Sequence, residues 1–377
     1  MKYIKLKEVC MINMGQSPDS SSYNEKKEGI PFYQGNADFG EKYPITRVWC
    51  NTPIKIAQSG DILISVRAPI GALNYAKEEC CIGRGLAAIT PDKEKMSLEF
   101  VYWFLKGKNL ELNRKGTGST FKAISRKVLE EIMIPDINLK KQCEYANVLE
   151  KIHAAIQMRK QELKHLDFLL KARFVEMFGD PVANEMGWDT LPLENACKAI
   201  VDCPHSTPSY TKEDTGFRCI RTSIVKKNRI LWDEIEYIPE DEYVKRIQRK
   251  KPDVGDIVYT REGAILGIAA IIDRNCNVAL GQRSMLLSPN INKCASEFLC
   301  VAMNSDSFLD NALKGVSGSA SPHINVGDIK AFRMIMPPIE LQNQFVDFVH
   351  QVDKSKVVIT NIRIFVRTTV ERIEVKK

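Results

Sequence analysis

The stretch Gly60-Asp-Ile-Leu-Ile-Ser-Val-Arg-Ala-Pro-Ile-Gly71, GDILISVRAPIG, opens on a tight turn, runs into a short strand and closes on a second turn. It returns 195 residues later as GDIVYTREGAILG, beginning at Gly255, in a chain of 377 residues. Glycine at the first position permits a positive φ, the aspartate side chain can bond the turn backbone, and the following apolar residues alternate in and out of a core. Both copies are therefore read as scaffold that places whatever follows.

Working outward from this pair, the whole chain repeats. LKEVC (Leu6 to Cys10) is echoed by LENAC (Leu193 to Cys197), and GIPFY (Gly29 to Tyr33) by GFRCI (Gly216 to Ile220). Beyond the GDI blocks come IGRG (Ile82 to Gly85) against LGQR (Leu280 to Arg283), then GTGST (Gly116 to Thr120) against VSGSA (Val316 to Ala320). The series ends with IMIPDINLKKQ (Ile132 to Gln142) against MIMPPIELQNQ (Met334 to Gln344), and the offset drifts only from 187 to 202. An ordered series of this length marks an internal duplication.

Each copy opens with short apolar runs punctuated by Gly, Pro, Asn and Asp, together with helical pieces such as SLEFVYWFLKG (Ser97 to Gly107) and SEFLCVAMNS (Ser296 to Ser305). That mixture predicts an α+β domain. A proline and a long stretch free of Gly and Pro follow each copy. From Leu139 to Phe178 a 3-4 spacing runs through Tyr145, Leu149, Ile152, Ile156, Leu163, Leu166, Leu170 and Met177, interrupted by Arg159 and Arg173. From Glu340 onward it runs through Phe345, Phe348, Val352, Ile359, Ile362, Val366 and Ile373.

Two such helices are expected to pack as an antiparallel coiled coil, because the second has nowhere to return except along the first. The expected domains are residues 1–138 and 181–335, with spacer helices at 139–180 and 336–377. A helix of this length spans about 58 Å.

At 44% hydrophobic the chain supports two ordinary cores, and its eleven scattered cysteines contain no CxxC. With no apolar run of membrane length and no signal-peptide core at the N-terminus, the chain is expected in the cytoplasm, away from membranes. The net charge of +7 is modest. Counted by segment, residues 1–138 carry 20 basic and 16 acidic side chains, and residues 181–335 carry 19 and 20. Bulk charge alone therefore does not establish a nucleic-acid partner. Local clusters (Lys106, Lys108, Arg114 and Lys115; Lys245, Arg246, Arg249, Lys250 and Lys251) are candidates for phosphate contact or for a solvated face.

No arrangement for catalysis stands out. Gly83-Arg-Gly-Leu-Ala-Ala88 matches GxGxxA but lacks the following helix and the acidic residue that a dinucleotide site needs. Pro18-Asp19 followed by Glu25-Lys26-Lys27 is too closely spaced for a nuclease carboxylate-lysine set. His153, His165 and His350 fall on the long helices, and Cys203-Pro-His205 lacks further metal ligands. No Asn/Asp-Pro-Pro-Tyr tetrapeptide is present for amino-group methylation of a base.

Two α+β domains alternating with two long helices, carrying IPFYQGNADFG, GDILISVRAPIG, GRGLA and GTGST, closely resemble the specificity (S) subunit of type I restriction-modification systems. DCPHSTPSY (Asp202 to Tyr210) and MGQSPDSSSY (Met14 to Tyr23) look like the entry loops of target recognition domains in that family. The resemblance implies that each α+β domain reads one half of a bipartite double-stranded DNA target. It implies that the helices dock two methyltransferase (M) subunits, that restriction (R) subunits add to these, and that this chain holds no cofactor, no metal and no catalysis of its own.

Base reading needs forked donors and acceptors on a firm scaffold. The candidates at matching places are Arg67 with Arg261, Arg84 with Arg283, and Ser119 with Ser319 for phosphates. Gln34 with Asn36, and Arg221 with Ser223, are placed to reach bases after the GIPFY-type strand. The alternative for such arginines is to brace a loop through carbonyls. The alternative for the chain is a duplicated coiled-coil adaptor that does not touch DNA.

Overall fold

The computed structural model describes residues 2–118, 122–314, 316 and 322–375, with side chains described as far as Val357. Ser119 and Ser319, with the tips of both Gly-Ser loops, lie outside the described residues. The chain divides into two compact units, residues 1–157 and 158–377.

In the first unit, β1 (Tyr3–Lys5) and β2 (Cys10–Met14) lead to β3 (Ile30–Tyr33), β4 (Ile62–Ser65) and β5 (Leu73–Tyr75). Then come β6 (Cys80–Ile82), β7 (Leu86–Pro91), helix α1 (Leu98–Gly107), β8 (Met133–Pro135) and helix α2 (Leu139–Phe178). One antiparallel sheet has the order β2-β7-β4-β5, and a second contains β3 lying parallel to β6. A two-stranded ribbon pairs β1 with β8, setting Tyr3 opposite Pro135 and so closing the unit on itself.

The second unit repeats this plan. Its strands are β9 (Thr190–Pro192), β10 (Cys197–Asp202) and β11 (Arg218–Ile220), followed by helix α3 (Glu240–Arg246) and β12 (Ile257–Thr260). β13 (Ala269–Ile271), β14 (Val278–Leu280) and β15 (Ser284–Pro289) precede helix α4 (Ser296–Met303), β16 (Arg333–Ile335) and helix α5 (Ile339–Val375). The antiparallel sheet is β10-β15-β12-β13, β11 lies parallel to β14, and β9 pairs with β16. Among the described residues α3 has no counterpart in the first unit.

The GDI turns behave as their chemistry requires. Gly60 and Gly255 adopt φ of +89° and +88°. Asp61 accepts from the Gln58 amide at 2.8 Å and the Thr90 hydroxyl at 2.6 Å, while Asp256 accepts from the Asp253 amide at 2.9 Å. The strands that follow differ from the expected in-and-out alternation, because every residue of β4 and β12 is buried. Ile62 and Ile64 enter one core beneath α1, and Leu63 enters another beneath the second sheet. A strand covered on both faces alternates between two cores rather than between core and water.

The long helices take the expected span, and two devices fasten them to the sheets. At the start of α2, Gln142 is fully buried: its Oε1 accepts from the Ser97 amide at 2.8 Å, and its Nε2 donates to the Lys95 and Ile137 carbonyls at 2.9 and 2.7 Å. At the start of α5 the same three bonds are made by Gln342, to the Ala295 amide and the Lys293 and Pro337 carbonyls. The sequence register set Gln142 against Gln344; the structure sets it against Gln342, since it is Gln342 that makes the matching three bonds.

In the second unit Phe174 and Phe178 of α2 meet Phe298 of α4 and Phe345 of α5, all nearly fully buried. Aromatic pairs at these separations add about 1 kcal/mol each beyond the area they bury. Within this unit the two helices run antiparallel, since Phe178 meets Phe345 while Asp167 pairs with Lys356 at 2.8 Å. The seam positions Ile359, Ile362, Val366 and Ile373 lie beyond the described side chains. No helix among the described residues is long and apolar enough to cross a membrane.

Replacing Gln142 or Gln342 by Leu leaves one amide and two carbonyls buried without partners, each loss costing about 1–3 kcal/mol. Each substitution is expected to bring forward the urea transition of its own unit in the full-length chain by about 3 kcal/mol. Unchanged midpoints would refute the clamp.

Burial pushes the Cys80, Cys197 and Cys219 thiols up to about 12, so at neutral pH they carry almost no thiolate. Cys143, exposed on α2, is expected to alkylate first when the native chain is labelled at neutral pH and mapped by peptide mass. Labelling of Cys80 before Cys143 would contradict the packing.

Candidate nucleic-acid interface

The polar candidates gather where strands end, and main-chain bonds gather them. In the first unit the Gly83 amide donates to Tyr33 at the end of β3, at 2.8 Å, and the Gly85 amide donates to the Gln34 carbonyl at 3.1 Å. The Val66 amide then donates to Gly85, and Ile124 donates back to Val66, each at 2.9 Å. Gln34, Arg84, Arg67 and the loop that returns at Ala123 are thereby locked into one edge. A Cβ on Gly85 would stand 2.3 Å from the Gln34 carbonyl oxygen, which is why that turn requires glycine.

The second unit builds the same lattice: Gly281 donates to Ile220 at 2.9 Å, Arg261 to the Arg283 carbonyl at 3.1 Å, and Ile324 to Arg261 at 2.9 Å. These bonds give residue equivalences that correct two expected pairs. Val66, not Arg67, is the counterpart of Arg261, and Arg67 matches Glu262, as the bridges Arg67 to Ala123 and Glu262 to His323 confirm. Likewise Arg84 matches Gln282, and Arg283 matches Gly85. Similar letters one position apart suggested the expected pairs, but a one-residue slip in an extended chain turns a side chain to the opposite face.

The consequences for each candidate are visible in its burial. Arg67 and Arg84 are exposed, as are Gln34, Ser223 and Arg283, with Asn36 and Arg221 half-buried. Arg261 is only 6% exposed. Its Nε donates to Asp202 Oδ1 at 2.9 Å and its Nη2 to Asp202 Oδ2 at 3.1 Å, so the guanidinium braces the entry loop instead of facing solvent. Arg221 pairs with Glu236 at 2.9 Å and lies over the Tyr210 ring at 5.0 Å. Arg283 takes the left-handed conformation, φ +74°, a strain of about 1 kcal/mol for a residue with a Cβ, and its side chain lies along Gly263.

Gln34 and Asn36 sit on a turn set by Asp38, whose carboxylate accepts from the Gln34 amide at 2.7 Å. The entry loop joins the same edge, with Ser17 Oγ accepting from the Arg84 amide at 3.3 Å.

The basic clusters are largely engaged within the fold. Lys108 and Lys115 both donate to Glu111 at 2.7 Å, and these hydrogen bonds pull its carboxyl down to about 2. Lys245 pairs with Asp241, Lys250 with Asp253 and Asp256, and Arg246 is buried. Among the described residues no cluster of His, Cys, Asp or Glu has the geometry to hold a metal ion.

With this architecture in view, the comparisons with known proteins are specific. The family model described as the type I restriction modification DNA specificity domain matches twice, over residues 1–167 and 187–364. The chain belongs to this family, whose members are the non-catalytic specificity subunits of their systems.

A putative type I restriction enzyme specificity subunit of Methanocaldococcus jannaschii is 45% identical over 156 residues, covering 41% of this chain and 37% of the relative. The chain thus spans well under half of that relative in the match. The EcoBI specificity subunit of Escherichia coli is 21% identical over 92% of this chain and 78% of its own length. The crystal structure of the type I restriction-modification S subunit from M. genitalium shares the fold, with a TM-score of 0.54 at 14% identity over 97% of this chain and 94% of that one.

Removing one partner of the pair between Asp202 and Arg261 leaves a buried charge uncompensated, which costs about 3–5 kcal/mol. Asp202→Ala is therefore expected to destabilise the second unit by about 3 kcal/mol in denaturant titrations of the full chain and to leave the first unit's transition in place.

Proposed function

We propose that the chain reads a bipartite, asymmetric DNA duplex, one half through each unit. The observation that carries this reading is the pairing of one main-chain lattice with different side chains at its matched places. Gln34 stands where the second unit has Arg221, Arg67 where it has Glu262, and Arg84 where it has Gln282, while the short turns that follow the two strands set Asn36 against Thr222.

Arginine prefers guanine edges, asparagine and glutamine adenine, and glutamate accepts from cytosine. Two copies of one frame with different readers suit two different half-sites, not a palindrome. Glycine-rich turns beside them let the backbone approach phosphates. The helix α2 that joins the units is proposed to set the spacing between the half-sites.

Assembly with methyltransferase subunits, two of them, and with restriction subunits completes the proposal. It is supported by apolar side chains left in solvent along α2, Val148, Phe168 and Val175 among them, since exposed apolar surface on a helix suits protein docking. In that assembly this chain supplies the address, and the cofactors and the chemistry belong to its partners. A coiled-coil adaptor without DNA would have no use for the matched polar edges.

Mapping methylated adenines in the source genome with and without this gene is expected to show one bipartite motif that vanishes with the gene. The purified complex is expected to protect that motif, with affinity falling at least tenfold from about 50 to about 200 mM salt. Protection independent of sequence would refute the reading.

A further inference from the structure

The entry loop of the second unit, Asp202 to Tyr210, is held by two buried arginines, whereas its counterpart in the first is held by main-chain and hydroxyl bonds. Asp202 takes both arms of the buried Arg261. Four residues on, Ser206 is gripped by Arg246 Nη2, which donates to its carbonyl at 2.6 Å and its hydroxyl at 3.2 Å. The Arg246 side chain is 1% exposed, pairs with Glu242 at 2.7 Å and also donates to the Leu280 carbonyl at 3.2 Å. Thr207 accepts from Gln282 at 3.2 Å. Both Arg246 and Glu242 come from α3, the helix that the first unit lacks among its described residues.

His205 stands between these two clamps, its side chain 65% exposed. Its Nε2 lies 3.2 Å from Asp202 Oδ2 and 3.4 Å from Arg261 Nη2, which orients the ring and leaves Nδ1 with no partner among the described residues. A buried ion pair is poor value as a stabiliser, since an apolar replacement of the same volume often serves as well. Two buried arginines directed at one short loop are instead the arrangement for fixing a conformation before binding. Because the Asp202 carboxylate and the Arg261 guanidinium cancel, the loop presents direction more than charge. Direction is what a base edge requires, whereas phosphate contact draws mainly on charge.

We propose that His205 is a specificity-determining residue that contacts one base-pair edge in the half-site of the second unit, with Arg261 and Arg246 as positioning residues acting through it. The inference rests on the DNA-reading role proposed above and names the residue that role would use.

The test is selection from a randomised duplex library by the full-length chain with its co-expressed methyltransferase subunits. His205→Ala is expected to lose its preference at one base pair of one half-site by about tenfold or more, with the other half and the salt slope unchanged. Arg261→Ala is expected to relax the same base pair, Arg261→Lys to retain the preference, and the double variant to be no worse there than His205→Ala alone.

A loss spread evenly over all positions, with the salt slope shallower by about one, marks a phosphate contact and overturns the proposal. An unchanged motif overturns it equally. If Arg261→Ala fails to fold, His205→Ala and His205→Gln, on an exposed ring, decide the matter without it. An unaltered complex that enriches no motif overturns the DNA-reading role itself, and this inference with it.

Discussion

A buried amide that must be satisfied ties the architecture together. Gln142 and Gln342 stand fully buried at the starts of the two long helices, each bonding one main-chain N–H and two carbonyls. A glutamine offers one acceptor and two donors in a fixed plane, which is the complement those three groups need. The result is a helix whose first turn is continuous with the sheet domain beneath it. Apolar packing then does the rest, most densely at the four phenylalanines of the second unit.

The same economy of backbone bonding governs the polar edge. Strand ends leave N–H and C=O groups that must find partners, and in both units they find them in the neighbouring turns. Once the turns are locked to the strands, the side chains they carry can change without disturbing the frame. The matched places bear this out: arginine against glutamate, arginine against glutamine, glutamine against arginine. A duplicated chain can thus keep one fold and carry two different polar edges. Membership of the type I specificity family is consistent with that division of labour.

The second unit carries a helix that has no counterpart among the described residues of the first. Helix α3 brings Arg246 to Ser206 of the entry loop, and Arg261, where the first unit has Val66, brings a second guanidinium to the loop at Asp202. Both are internal charges, and both are spent on one loop. In the first unit the corresponding loop relies on lighter bonds, such as Ser17 to the Arg84 amide.

Much was legible in the sequence because the determinants were local or repeated. Glycine and aspartate at Gly60 and Gly255 specified turns, uninterrupted apolar spacing specified helices from Leu139 and near Glu340, and the ordered echoes specified two copies of one domain. What the letters could not give was register to a single residue. Arg67 and Arg261 look like partners in a linear alignment, but which face an extended residue takes is set by pairing with a strand far away in sequence. The same holds for Gln344 in place of Gln342. Arg261 reads as a candidate for DNA only until Asp202, fifty-nine residues distant, is seen to fill its fork. Sequence alone determined the elements, their order and their duplication, since these follow from neighbours along the chain. Only the tertiary structure decided which polar residues face solvent and which brace the frame, since that depends on hydrogen-bond partners brought together by folding.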